Sequence, residues 1–202
     1  MVTETNHDGT FASRMTRPRI LIAGIGNIFL GDDAFGVEVA QRLLARKQRD
    51  DVRIVDFGIR GIDLTYALLD GCEVAILVDA VPRGQAPGTV YVIEPDITGV
   101  GRALPADPYD GMPFIEGHNL DPERVLRIVA SLGGKVGRVL LVGCEPTPID
   151  PEQDFQMGLS PPVQTAVDEA IRLIESLIVK ILNEETHFVG SALDASEAHL
   201  AG

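Results

Sequence analysis

Short apolar runs and longer stripes of apolar residues alternate along this chain. The runs are rich in branched side chains, which is typical of strands buried on both faces. They lie at residues 20–23, 52–57, 74–78 and 139–142. The stripes repeat every three or four positions, as on one face of a helix, at about residues 33–47, 61–70, 121–132 and from 161 onward. This alternation predicts parallel β-α-β units, with helices covering both faces of one sheet.

A fifth strand is predicted at residues 89–93, directly after a Pro-Gly turn. It follows the strand at 74–78 without a helix between them, and so short a link favours an antiparallel neighbour. The predicted fold is therefore a three-layer α/β/α sandwich around a five-stranded, mostly parallel, twisted sheet of the phosphorylase/hydrolase-like type.

The predicted elements occupy residues 19–182, which we interpret as a single α/β domain. Residues 1–18 are polar and aperiodic and are predicted to be a disordered leader, and residues 183–202 a polar C-terminal tail. Residues 94–117 contain four prolines and four glycines, too many for a regular element. An irregular loop of this length is usually functional or mobile.

The third predicted helix has clear start and stop signals. Asp121, Pro122 and Glu123 supply an N-cap, a proline at the first helical position and an early acid, and Gly133-Gly134 ends the helix. The expected inward face consists of Val125, Ile128, Val129 and Leu132. The long helix that follows is expected to be capped by Ser160.

The composition and net charge of the chain argue against some classes of binding partner. The formal charge is −13, with 30 acidic and 17 basic residues, which argues against nucleic acids and anionic membranes. The two cysteines, Cys72 and Cys144, show no CxxC spacing, so neither a disulfide framework nor a structural zinc site is indicated. No apolar segment resembles a signal peptide or a membrane span. We expect a soluble, cytoplasmic protein.

A glycine-rich turn joins the first predicted strand to the first helix. Gly24, Gly26 and Gly31 are expected to adopt backbone conformations that other residues avoid. Asp32 and Asp33 follow, at the strand end where open α/β sheets bind their ligands.

Three simpler interpretations of this turn are weaker. A dinucleotide site is disfavoured because position 29 lacks the third glycine and two negative charges would face the pyrophosphate. A phosphate-binding loop is excluded because no lysine occurs before Lys47. Capping of the helix by Asp32 or Asp33 would explain one aspartate but not both.

Asp33, Asp79 and His118 are expected to meet at one edge of the sheet. Two carboxylates and an imidazole form a ligand set for a divalent transition metal. His118 is the one histidine outside the polar terminal segments. A lone histidine is more often an ordinary surface or capping residue, so the residues alone leave both interpretations open. Cys144 with His118 could be a nucleophile and base, but a small buried cysteine fits its surroundings better.

The sequence GIGNIFLGDDAFG at residues 24–36 resembles the GxGNxLxxDDGxG signature of the hydrogenase maturation proteases. Further landmarks follow in the same order as in that family. They are Asp56-x-Gly58, Val78-Asp79-Ala80, Ala86-Pro87-Gly88-Thr89, His118, Val142-Gly143-Cys144-Glu145-Pro146 and Gly158-Leu159-Ser160-Pro161. The similarity spans about residues 19–182, so residues 19–182 are identified as a protease domain.

The resemblance implies an endopeptidase that removes the C-terminal extension of a nickel–iron hydrogenase large-subunit precursor once nickel has been inserted. The family's three metal-contacting and catalytic positions correspond to Asp33, Asp79 and His118. The nickel is implied to be carried by the precursor, and a divalent surrogate could occupy the same site. Either the metal activates the carbonyl or a water, while Asp79 or Asp33 acts as the base.

Some positions depart from the family pattern. Asp33 stands where many members have the longer Glu, and Phe29 and Phe35 are interpreted as packing variation. The loop at 94–117 is long for the family. Two alternatives to the proposed activity are a non-proteolytic nickel-sensing checkpoint protein that binds the precursor, and a protease of the same fold with another protein substrate, as in the related spore-germination proteases.

Overall fold

The computed structural model describes residues 18–47, 49–95, 122–134, 137–148 and 157–197. The strands β1 to β5 are Ile20–Ile25, Val52–Gly58, Val74–Ala80, Val90–Ile93 and Arg138–Cys144. The helices α1 to α4 are Phe35–Leu44, Gly61–Asp70, Pro122–Ser131 and Pro161–Glu197, and a 3-10 turn at Gly31–Ala34 precedes α1. The predicted site residue His118 lies outside the described residues, as do residues 1–17 and 96–117 of the predicted leader and loop.

The five strands form one sheet in the order β2-β1-β3-β5-β4. β1 pairs in parallel with β2 and β3, and β3 pairs in parallel with β5. β4 is antiparallel to β5, which confirms the prediction made from its short connection to β3. The carboxyl ends of β1, β2, β3 and β5 therefore share one edge of the sheet.

Two apolar layers cover the sheet, because successive side chains of a strand point to opposite faces. In β1, Ile20 and Ile22 pack into the layer that contains α1 and α4. Leu21 and Ala23 pack into the layer that contains α2 and α3. The three-layer α/β/α architecture is confirmed. Among the described helices, none combines the length and the apolar character needed to cross a membrane.

Several element ends differ from the prediction, and three of these differences change the interpretation. β3 continues to Ala80, so Asp79 lies inside the strand and not just after it. α3 stops at Ser131, where the Gly133 backbone N–H bonds to the Ala130 carbonyl, and Leu132 is therefore 62% exposed instead of facing inward. Leu126 is buried in that layer. α4 continues to Glu197, into the segment predicted as a polar tail.

Two glycines allow α1 to lie directly on the sheet. A Cβ atom at Gly36 would stand 2.1 Å from the carbonyl oxygen of Val78. One at Gly24 would stand 2.3 Å from the carbonyl oxygen of Gly36. Gly26 and Gly31 have positive φ, as expected, but Gly24 does not, so Gly24 is needed for close approach and not for an unusual backbone conformation.

We predict that Gly36→Ala lowers the free energy of unfolding by at least about 2 kcal/mol, since the added methyl must displace backbone atoms of β1 and β3. Urea unfolding measures the change. Leu44→Ala is the control, because Leu44 lies on the same helix and is exposed, and it should cost little. Equal losses in the two variants would show that the close packing at Gly36 is not what limits stability.

Candidate functional site

Asn27 shapes the turn that carries Asp33. The backbone N–H of Asn27 donates to Oδ2 of Asp33 at 2.6 Å, and the side-chain Oδ1 of Asn27 accepts from the backbone N–H of Phe29 at 3.0 Å. The Asn27 carbonyl accepts from the backbone N–H of Leu30. Asn27 is buried, and with these bonds it fixes both the turn and the direction of the Asp33 carboxylate. Its role was not predicted, although it belongs to the quoted signature.

The carboxyl group of Asp33 is half-buried and has a shifted pKa. Burial raises the pKa of its carboxyl group, and the hydrogen bond from the Asn27 backbone N–H acts in the opposite direction. A carboxylate that is kept partly from water binds a proton more tightly than an exposed one. Asp33 is thus suited to accept a proton or to bind a cation.

Asp79 lies at the same edge of the sheet. It is 8% exposed, and its Oδ1 accepts a hydrogen bond of 2.8 Å from the backbone N–H of Ala80. The 3-10 turn that contains Asp33 contacts β3, so two of the three predicted site residues belong to neighbouring parts of one edge. No group of three or more metal-ligating side chains is present within the described ranges, which do not include His118. The three-residue site therefore stays a prediction.

Asp32 connects three parts of the chain through its carboxylate. Its Oδ1 accepts from the backbone N–H of Ser160 at 2.6 Å, and its Oδ2 accepts from the backbone N–H of Thr147 at 2.8 Å. The Ser160 hydroxyl also donates to Oδ2 at 2.8 Å. Asp32 thus joins the 3-10 turn to the segment after β5 and to the start of α4. We call these three residues the Asp32 clasp.

The clasp bears on both sequence interpretations of helix capping. Neither aspartate caps the helix that follows, which agrees with the weaker standing of that interpretation, because the N-cap positions of the 3-10 turn and of α1 are Leu30 and Ala34. Ser160 precedes α4, as predicted, but its hydroxyl bonds to Asp32 and receives a hydrogen bond from the Thr147 hydroxyl at 2.8 Å. The sequence landmark that contains Ser160 did not indicate these hydrogen-bond partners.

Glu145 is a buried carboxylate that the sequence did not identify as a functional residue. It is 5% exposed and accepts hydrogen bonds from the backbone N–H groups of Arg83, at 2.7 Å, and Gly84, at 3.0 Å. Burial alone would raise its pKa, but the backbone N–H groups of Arg83, Gln85 and Gly84 outweigh it and hold the pKa below the ordinary value. Glu145 is therefore a charged anchor for the loop between β3 and β4.

Cys144 is not suited to nucleophilic catalysis. Its side chain is fully buried in the apolar layer next to α4. Burial, with the nearby negative charges of Asp32 and Glu145, raises the pKa of the thiol to about 12. A thiol that stays protonated at neutral pH cannot serve as a thiolate. The interpretation of Cys144 as a small buried cysteine is confirmed.

The two phenylalanines near the glycine-rich turn differ in their surroundings. Phe35 is fully buried in the core, so its interpretation as packing variation is confirmed. Phe29 is 54% exposed beside Ile28, so the same interpretation is wrong for Phe29.

Asp56 lies near the end of β2, where its Oδ2 accepts a hydrogen bond of 3.0 Å from the side chain of Gln41.

Comparisons with known proteins agree on one family. The family described as hydrogenase maturation protease matches residues 37–177, a range that includes Asp79 but begins after Asp33. The hydrogenase expression/formation protein HoxM of Azotobacter vinelandii is 31% identical over 188 residues, covering 93% of this chain and 83% of that protein. A putative hydrogenase maturation protease of Methanocaldococcus jannaschii is 31% identical over 169 residues, covering 82% of this chain and 100% of that protein.

A similar solved structure is the hydrogenase maturating endopeptidase HybD from E. coli, with a TM-score of 0.60 and 26% sequence identity. The alignment covers 80% of this chain and 93% of that chain. The shared architecture agrees with the α/β/α sandwich described above.

We predict that Asp32→Ala lowers the free energy of unfolding by about 2–4 kcal/mol, because it leaves the backbone N–H groups of Thr147 and Ser160 without their acceptor. Asp33→Ala is the matched comparison and should cost less than about 1 kcal/mol, since one hydrogen bond is lost together with a partly desolvated charge. Urea unfolding of both variants provides the test. Equal costs would contradict the division of roles between the two aspartates.

We also predict that stability falls as the pH rises above 9, and that Cys144→Ala removes part of this fall. The unfolded thiol has an ordinary pKa of 9.0 and the folded thiol one of about 12, so the unfolded state loses its proton first. Stability present below pH 9 is therefore lost progressively as the pH approaches 12. Urea unfolding at pH 7 and pH 10 gives the comparison. The same pH dependence in both proteins would mean that Cys144 ionises normally when folded.

Proposed function

The chain belongs to the hydrogenase maturation protease family, and from this premise we propose that it is the endopeptidase that removes the C-terminal extension of a nickel–iron hydrogenase large-subunit precursor after nickel insertion. The observation that carries this proposal is the placement of Asp33 and Asp79. The 3-10 turn that contains Asp33 contacts β3, and Asp79 is the second-last residue of that strand. Two carboxylates at one sheet edge supply the ligands and the proton acceptor that assisted peptide hydrolysis needs.

In the proposed complex, nickel is part of the substrate and is held by cysteines of the precursor. Asp33, Asp79 and His118 add two oxygen donors and one nitrogen donor, a set that suits a divalent transition metal. His118 lies outside the described residues, and its role rests on the sequence. Binding of the loaded metal then also positions the cleavage site, so processing waits for nickel.

One aspartate takes a proton from the attacking water. Burial favours Asp33 for this step, because its raised pKa makes the carboxylate a stronger base. The water oxygen attacks the scissile carbonyl carbon, the C–N bond breaks, and the proton passes to the leaving amine nitrogen. Asp79, oriented by the Ala80 backbone N–H, supplies a second carboxyl group beside the reacting groups.

We predict that the protein binds the nickel-loaded precursor at least about tenfold more tightly than the nickel-free precursor, a difference of roughly 1.4 kcal/mol or more. The reason is that three protein donors leave a divalent ion under-coordinated, so recognition depends on the ligands of the loaded precursor. Titration calorimetry with both precursor forms measures affinity. Intact-mass measurement after incubation measures removal of the C-terminal extension.

Asp33→Ala, Asp79→Ala and His118→Ala serve as controls, and each is expected to abolish cleavage while the protein stays folded. Full activity in one of them would remove that residue from the site. Equal affinity for both precursors, with equal cleavage, would reject nickel recognition. Tight binding to the loaded precursor without any cleavage would favour the checkpoint protein, and cleavage of neither precursor without binding would indicate another substrate.

A further inference from the structure

A buried carboxylate beside the proposed site has no role in the chemistry described so far. Glu145 follows β5 directly and lies under the loop at residues 81–89, which connects Asp79's strand to β4. We propose that Glu145 is a positioning residue that fixes this loop and thereby the carboxylate of Asp79. The inference rests on the proposed function, since it is Asp79 that would touch the substrate.

The carboxylate of Glu145 is surrounded by donors from this loop. Oε2 accepts from the backbone N–H of Arg83 and Oε1 from that of Gly84, and the Gln85 backbone N–H also bonds to the group. A buried charge is tolerated only when such partners satisfy it. Because all three donors are backbone groups of consecutive residues, the position of the carboxylate determines the path of the loop.

The main chain of Glu145 holds the far end of the same loop. Its carbonyl accepts from the backbone N–H of Gly88 at 2.8 Å, and its N–H donates to the carbonyl of Thr89 at 2.9 Å. Glu145 therefore contacts the loop through its side chain near the β3 end and through its backbone near the β4 end. One residue thus binds both ends of the loop between β3 and β4.

The side chain of Tyr91 also bonds to the start of this loop. Its hydroxyl donates to the carbonyl of Val81 at 2.5 Å, while the Arg83 guanidinium lies 5.5 Å from the centre of its ring. The ring rests on Gly143, where a Cβ atom would approach it to 2.2 Å. Gly143 is the residue paired with Asp79 in the sheet. The loop and the site strand are thus packed as one unit.

The connection to Asp79 runs through the backbone. Ala80 pairs with Cys144, the residue before Glu145, and the backbone N–H of Val81 donates to the Cys144 carbonyl at 3.0 Å. The Ala80 N–H in turn donates to Oδ1 of Asp79 and sets the direction of its carboxylate. A change in the loop that rotates the peptide before Ala80 would therefore turn the Asp79 carboxylate away from the substrate.

The decisive variant is Glu145→Gln, which keeps the shape but places an amide N–H₂ group against a backbone N–H donor. We expect kcat for precursor cleavage to fall about 10- to 100-fold, because small displacements of reacting groups have effects of this size. KM should change less than about threefold, since Glu145 itself is too buried to touch the precursor. The amide proton of Ala80, which bonds to Oδ1 of Asp79, should move upfield in the NMR spectrum of the free protein, because that hydrogen bond is weakened.

Ile178→Ala is the matched control for a general loss of stability. Ile178 is buried on α4, roughly 25 Å along the helix from its first residue at about 1.5 Å per residue. It should lower the melting temperature without changing kcat or the Ala80 amide signal. Should Glu145→Gln fail to fold, Arg83→Pro removes one N–H donor to Glu145, and Arg83→Ala is its control because it keeps that donor.

The two readouts separate this inference from the proposed function. If the wild-type protein cleaves and kcat of Glu145→Gln stays within about twofold of Ile178→Ala, the positioning role is wrong. If the wild-type protein does not cleave, the proposed function is wrong and the Ala80 amide signal decides about Glu145. An upfield shift in Glu145→Gln then supports the positioning role, and an unchanged signal overturns it.

Discussion

The arrangement of the whole site edge depends on the contact between the start of α1 and the sheet. At Gly36 the helix backbone lies against the Val78 carbonyl of β3 and against the backbone of Ile25 in β1. Any side chain at that position would push the helix away. Because the helix starts so close, the turn before it is forced over the ends of β1 and β3, and it carries both aspartates to that edge.

The adjacent residues Asp32 and Asp33 differ because their carboxylates accept hydrogen bonds from different donors. Asp32 faces backbone N–H groups of two other segments and holds them together. Asp33 receives one backbone hydrogen bond from within its own turn and keeps a raised pKa. The first links separate segments of the chain through its hydrogen bonds. The second is partly kept from water, an environment typical of reactive carboxylates.

Backbone amides donate to the carboxylates of this region. Asp32, Asp79 and Glu145 each accept hydrogen bonds of 2.6–3.0 Å from main-chain N–H groups. Main-chain donors are already ordered by the fold, so they fix a carboxylate without the entropy cost of ordering a long basic side chain.

The sequence by itself determined the features that depend on local pattern. The spacing of apolar residues predicted the five strands and four helices found in the described part of the chain. The absence of a helix between β3 and β4 predicted that β4 is antiparallel. The signature at residues 24–36 indicated the family. Tertiary structure decided what depends on distant pairing. The partners of Asp32 lie 115 and 128 residues away, and those of Glu145 lie 61 and 62 residues away. No local pattern encodes such hydrogen bonds, because sheet register and helix packing must bring the segments together first.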